Sequence, residues 1–106
     1  MGQFDVYGNP NPETNQEIPY LLDVQADLLD TLATRVVVPL INASTAGKPL
    51  RHLNPEFTVN ETPVIMSTSE LAGISVQSMG QKAGTLKDRR DEIIAALDFL
   101  LIGFSG

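Results

Sequence analysis

The sequence predicts a small, mainly β fold in which short antiparallel strands form a curled sheet and one terminal helix packs against it. Apolar and β-branched stretches recur up to residue 76 and are separated by segments rich in Gly, Pro and Asn, which is typical of short strands joined by turns. The stretch from residue 93 to 104 is apolar apart from Asp98 and has Gly103 near its end, a pattern that favours a helix stopping at that glycine. The chain has 106 residues, room for one domain (residues 1–106) with one modest core.

The first two predicted strands form a hairpin. Residues 3–7 alternate apolar and polar side chains, and residues 18–24 resume this pattern. Between them, residues 8–16 consist largely of Gly, Asn, Pro and Glu, which indicates a flexible loop at the hairpin tip. An acidic turn over residues 27–30 follows the second strand.

The strongest β signal is the β-branched run at residues 36–41. Because Pro39 has no N–H to donate, we expect this strand to lie at a sheet edge or to contain a bulge. Residues 42–52 are small and polar and predict a loop or a weak hairpin. Further strands are expected at 56–59, 64–66 and 71–76, and a further loop at 80–84.

The terminal helix is expected to begin at a capping box, with Thr85 as the cap and Asp88 returning the bond, and to stop at Gly103. Its residues 93–104 are apolar all round and carry one charge, Asp98. Twelve residues span roughly 18 Å, too short to cross a bilayer core of about 30 Å. We therefore expect no membrane contact. One helix face should pack on the core and the other should meet a second protein.

The charge is predominantly acidic, with a formal net charge of −6. Residues 1–35 carry six acidic side chains against Arg35 alone, which disfavours direct nucleic-acid binding and suits a basic protein partner. Ordinary solubilising charge explains the same composition equally well. The chain has no cysteine and shows no export leader, so a cytoplasmic location is expected.

The signals for enzyme chemistry are weak. His52 is the single histidine and has no partners at metal-ligand spacing, so an exposed loop histidine is the expectation. Asp23, Asp27 and Asp30 are spaced loosely enough for a hard cation but lack the alternating acidic loop and glycine that calcium prefers. No phosphate-binding glycine loop or nucleophile elbow is present. We expect a non-enzyme without a cofactor.

Three residues fit poorly into an ordinary core. Leu28 and Leu29 are adjacent in a turn, so at least one is expected to be exposed, the alternative being a packed loop leucine. Asp98 lies one turn before the helix end, where its charge opposes the helix dipole. It should find a donor within the fold or reach solvent, on the same face as Ile102.

Several motifs, in this order along the chain, resemble the CcdB toxins of bacterial toxin–antitoxin modules. The most specific are Asp-Val-Gln-Ala-Asp-Leu-Leu-Asp at residues 23–30 and Arg-Val-Val-Val-Pro-Leu at residues 35–40. The first strand, residues 3–7, and weaker matches at 53–55, 66–68 and 93–104 extend the resemblance over nearly the whole chain, apart from loops 8–17 and 42–50.

The resemblance implies an SH3-like barrel with an extra small sheet and a C-terminal helix, assembled as a homodimer. It also implies a toxin that binds DNA gyrase A and traps the enzyme on cleaved DNA. A CcdA-like antitoxin would neutralise it, and operator DNA would be contacted only through that antitoxin. Some relatives place arginines in the first hairpin loop, whereas this chain has Glu13 and no base there. Arg51, Lys48 and Arg35 are the basic residues that could substitute, but the sequence does not place them on one face, so the antitoxin-binding residues stay open.

The resemblance implies that the helix end contacts gyrase. The family ends in Trp-Gly-Ile, and the matching residues are Ile102, Gly103 and Phe104. Here the aromatic residue is third rather than first, and two further residues follow. Ile102 therefore lacks the stacking on cations that a Trp offers. Other positions that the resemblance places near the gyrase-facing surface are Leu28, Leu29 and Asp98.

Two alternatives belong to other functional classes. A ribonuclease toxin on the same barrel, as in the MazF branch, would need a base and a cation, and His52, Arg35 and Arg51 are the available set. The net charge is unfavourable for RNA. The other alternative is an inactive relative that keeps only antitoxin binding.

Overall fold

The computed structural model describes residues 2–103, so Met1 and residues 104–106, including Phe104 of the predicted site, lie outside it. The described part contains seven strands, one α-helix and four 3₁₀ turns. The strands are β1 (Asp5–Gly8), β2 (Tyr20–Asp23), β3 (Thr34–Asn42), β4 (Glu56–Val59), β5 (Thr62–Met66), β6 (Ala72–Ser75) and β7 (Lys82–Thr85), and the helix is α1 (Arg90–Ile102). The 3₁₀ turns are Asp27–Leu29, Thr68–Glu70, Val76–Ser78 and Lys87–Arg89.

All strand pairs are antiparallel, and the sheet order is β4-β5-β3-β2-β1-β7. β3 forks the sheet because its first half pairs with β6 and its last three residues pair with β5. The Asn60 side chain, in the turn between β4 and β5, donates to the Ala83 carbonyl of β7 at 3.2 Å. The two ends of the sheet therefore approach each other. The predicted class is confirmed: a mainly β, curled, barrel-like sheet with one C-terminal helix.

The expectation for Pro39 is wrong, since β3 has neighbours on both sides. Pro39 lies opposite Leu21 of β2, and its carbonyl accepts from the Ser67 N–H at 2.9 Å on the other side. On that second side β5 has ended at Met66 and β6 begins only at Ala72. The missing proline N–H faces the same gap as its carbonyl, so no ladder bond is lost.

The core forms inside the curl of the sheet. Alternating residues of β2 to β5 and Val6 of β1 supply its strand residues, as a sheet with one buried face requires. Helix α1 adds Ile93 and Ala96, both fully buried, and the Arg89 guanidinium lies 4.8 Å from the centre of the Phe57 ring. The cluster comprises Phe4, Val6, Leu22, Val38, Leu40, Phe57, Val59, Val64, Met66, Leu86, Ile93 and Ala96.

The predicted capping box is wrong, and the expected loop at 80–84 is largely a strand. Thr85 ends β7, which pairs with β1, and its hydroxyl accepts from the Lys87 N–H at 3.3 Å. Helix α1 begins only at Arg90, and no side chain caps it. β7 reads Lys-Ala-Gly-Thr, a poor β sequence, so its pairing with β1 overrides local propensity.

The paired strands β1 and β7 surround one buried carboxylate, that of Asp5. Asp5 is buried, with Lys82 Nζ at 3.3 Å and Lys87 Nζ at 3.6 Å from its oxygens. Burial pushes the pKa of Asp5 upward, but the Thr85 hydroxyl, the Lys82 bond and the two lysine charges outweigh it. The pKa of Asp5 is therefore lowered from its ordinary value of 3.8.

Candidate functional site: an apolar helix end and an exposed leucine segment

The last turn of α1 extends beyond the core. Of the thirteen residues of α1 only Ile93 and Ala96 are buried, whereas Leu101 is 70% and Ile102 60% exposed. Gly103 ends the helix in the left-handed conformation, with φ of 83°, and its N–H donates to the Phe99 carbonyl at 3.0 Å. The predicted stop is confirmed. Two large apolar side chains therefore stand in solvent, an arrangement typical of a protein-contact surface.

Asp98 lies on this terminal part of α1 and is half-buried. No hydrogen bond or ion pair of its side chain occurs within residues 2–103, so of the two expectations for it, partial exposure to solvent is the one observed. It precedes Ile102 by four residues, which places the two side chains on one helix face.

A second apolar surface follows β2. Every residue from 26 to 34, which we call the leucine segment, is exposed. Leu28 is 96% exposed and Leu29 48%, so the packed-leucine alternative is wrong for Leu28. Leu32 is 47% exposed in the same segment and was not predicted from the sequence.

Buried polar groups flank the leucine segment on both sides. Asp23 and Arg35 are fully buried and Gln25 nearly so. Arg35 donates to Asp23 from Nε at 2.9 Å and from Nη2 at 2.6 Å, and its Nη1 lies 3.1 Å from Asp30 Oδ1. Burial raises the pKa of Asp23, while the bonds from Arg35 oppose this.

Each of the three aspartates considered as cation ligands has a hydrogen-bond partner within the protein. Asp23 binds Arg35, Asp30 does so in part, and Asp27 Oδ1 accepts from the Gln3 N–H at 2.7 Å. Within residues 2–103 no group of three or more His, Cys, Asp or Glu side chains is arranged to hold a metal. The structure therefore gives the weak cation signal no support.

Of the residues considered for ribonuclease chemistry, Arg35 is already bound within the protein. Arg35 is 1% exposed and bound to Asp23, so it is not available to an RNA phosphate. His52 is exposed in its loop, as expected, and has a positive φ of 71°. Its ring meets Phe99 of α1 edge-on, with centroids 6.3 Å apart, a contact that the sequence did not indicate.

A well-formed surface cavity lies elsewhere in the described residues. It has a volume of about 480 Å³ and lies between the first hairpin loop, β3 and β6, with Asn9, Pro39 and Ile74 among its lining residues. Of the predicted gyrase-facing residues within 2–103, none lines it. The site defined by exposure is thus a pair of exposed apolar surfaces outside this cavity, which suits a protein partner better than a small ligand.

Fold and surface together define a small barrel-like β protein that exposes apolar side chains on a terminal helix and on one loop. A model of the CcdB protein family matches residues 3–103, nearly the whole chain. The chain belongs to the CcdB family. Members of this family are toxins of toxin–antitoxin systems that poison DNA gyrase and are not themselves enzymes. Within residues 2–103 no helix is both long and apolar enough to cross a membrane.

Proposed function

We propose that this protein binds DNA gyrase A, with the end of α1 and the leucine segment as contact surfaces, and traps the gyrase–DNA cleavage complex. The observation that carries the proposal is the exposure of Leu101 and Ile102 on the last helical turn, in a chain of the CcdB family. Fully burying such a side chain contributes about 1.5–3 kcal/mol. A partner that covers this turn therefore gains appreciable binding energy.

The proposed contacts are apolar rather than aromatic. Ile102 takes the place of the family's terminal Trp, and an isoleucine contributes through burial alone, without attraction to a cation. Leu28 and Leu29 offer further apolar area, and Asp98 lies on the helix face of Ile102. Gly103 ends the helix in the left-handed conformation directly after Ile102.

The proposed assembly is a homodimer. A two-fold dimer presents each apolar surface twice, which matches a target that is itself two-fold symmetric. A net charge of −6 suits a basic, DNA-handling partner surface and would speed its approach at low salt.

A CcdA-like antitoxin is the proposed neutralising partner. Operator DNA would be contacted only through that antitoxin, because the acidic charge of the chain disfavours direct contact with phosphates.

The test uses purified protein, gyrase and supercoiled DNA, with linear DNA released by denaturant as the measure of trapped cleavage complexes. We expect Ile102→Ala to reduce trapping by about tenfold or more. Leu50→Ala is the matched control, because Leu50 is 61% exposed against 60% for Ile102 and lies outside the proposed surfaces. The control should retain trapping.

Deleting residues 102–106 should abolish trapping and leave the fold and the dimer intact. A fully active truncation would refute the assignment of the helix end. A parallel incubation with RNA separates the other functional classes. RNA fragments would indicate a ribonuclease, and inactivity in both assays would indicate a relative that only binds antitoxin.

A further inference from the structure

No apolar side chain of the leucine segment is fully buried, and Leu28 is 96% exposed. All residues from 26 to 34 are exposed, and the 3₁₀ turn Asp27–Leu29 contains no buried residue. Apolar burial is the usual means by which a loop is held in one conformation. Leu28, which lacks such burial, would by itself move between conformations or fold back onto the sheet. Another interaction must therefore keep Leu28 outward.

The buried polar residues at the two ends of the segment supply that interaction. Gln25, just before it, donates from Nε2 to the Leu29 carbonyl at 3.0 Å and to the Thr34 carbonyl at 3.2 Å. Its Oε1 accepts from the Val36 N–H at 3.1 Å. One amide side chain thus spans the segment from its 3₁₀ turn to its exit strand.

Arg35, just after the segment, acts from the other end. Its Nη1 donates to Asp30 Oδ1 at 3.1 Å, while Nε and Nη2 are bound to the buried Asp23. Asp23 Oδ1 in turn accepts from the Gln25 N–H at 3.0 Å. The guanidinium and the amide therefore belong to one connected network, and a connected buried network rigidifies what it binds.

We infer that Gln25 and Arg35 are positioning residues that hold the leucine segment in the conformation that presents Leu28 to a protein partner. The identity of that partner as gyrase A rests on the proposed function; the holding of the segment does not. The network acts through Leu28 and need not touch the partner, since Gln25 and Arg35 are themselves buried.

The first experiment tests the holding alone, by amide hydrogen exchange in the free protein. Gln25→Met keeps the length of the side chain and removes its donors and its acceptor. Exchange at the N–H groups of Leu29, Asp30 and Leu32, which close the turn at 3.0–3.1 Å, should accelerate by about tenfold or more. Unchanged exchange would overturn the inference.

Two further variants control for misfolding and for a general loss of stability. Gln25→Glu keeps the shape and the bond from the Val36 N–H but loses the donors to Leu29 and Thr34, so it should also accelerate exchange. Val64→Ala destabilises the core without removing any hydrogen bond of the network, because Val64 lies opposite Asn42, at the other end of β3 from Arg35, and it should leave exchange in the leucine segment unchanged under native conditions.

The second experiment is a double-mutant cycle for binding to gyrase A. Leu28→Ala and Gln25→Met should each weaken binding by about tenfold, and the double variant should be no weaker than Leu28→Ala, because Gln25 acts through Leu28. Val64→Ala should bind normally. Additive losses would overturn the positioning role.

The cycle also separates the two proposals. If Leu28→Ala binds gyrase A as the wild type does, the gyrase contact of the proposed function fails at this segment, and presentation to gyrase fails with it. The exchange result then still decides whether Gln25 holds the segment.

Discussion

Replacing Arg35 by Met should be among the most destabilising single substitutions on the polar residues of this protein. Arg35 is 1% exposed and its partner Asp23 is 0% exposed. Without the guanidinium, the Asp23 carboxylate would remain buried, and within residues 2–103 its hydrogen-bond donor would be the Gln25 N–H at 3.0 Å on Oδ1. Removing one partner of a buried ion pair costs about 3–5 kcal/mol, mainly because the remaining charge stays desolvated.

The assay is urea unfolding followed by circular dichroism at one fixed protein concentration, because a dimer's stability depends on concentration. The control is Arg89→Met. Arg89 is 40% exposed, pairs with Glu92 through two bonds, one of 2.9 Å, and lies over Phe57. Solvent screening keeps the exposed pair at about 0–1 kcal/mol, with about 0.5–1 kcal/mol more from the ring contact. An Arg35→Met loss no larger than that of Arg89→Met would refute the reasoning.

The remaining predictions concern acid, the helix end and the core. Because the pKa of Asp5 is lowered in the folded protein, its ionised carboxylate stabilises the fold at pH values above the ordinary pKa of 3.8. This stability is lost as the pH falls through the folded-state pKa. In melting temperatures measured between pH 2 and 6, Lys82→Met should therefore lose stability at pH 6 but little at pH 2. An equal loss at both pH values would contradict the lowered pKa of Asp5. Gly103→Ala, at φ of 83°, should cost about 1 kcal/mol in urea unfolding through backbone strain, since a Cβ there meets nothing within 4 Å. Phe57→Ala, at 2% exposure, should cost about 3–5 kcal/mol in the same assay, and a loss below that of Gly103→Ala would argue against its place in the core.

Local patterns in the sequence predicted the elements whose stabilisation is mainly local. The β-branched run became β3, the residues 56–59 became β4 without a shift of boundary, and Gly103 ended α1 as expected. These outcomes share a cause: strand propensity, alternation of burial and the left-handed preference of glycine all act within a few residues.

Long-range pairing decided the elements that the sequence misjudged. β7 has poor β propensity and exists because β1 offers an open edge. Pro39 lies in the interior of the sheet because the fork between β5 and β6 falls opposite its missing N–H. A helix that would have begun at a Thr85 cap begins at Arg90, because Thr85 belongs to β7. No single-residue signal carries such information.

The sequence by itself determined the composition of the proposed contact surfaces: adjacent leucines in an acidic turn, an apolar helix with a lone Asp98, and a glycine at its end. Only the tertiary structure decided that Leu28 is 96% exposed and that Gln25 and Arg35 span the segment around it. The reason is physical, because exposure and buried hydrogen bonding depend on which distant strands pack together, and residues 23 and 35 become neighbours only when β2 pairs with β3.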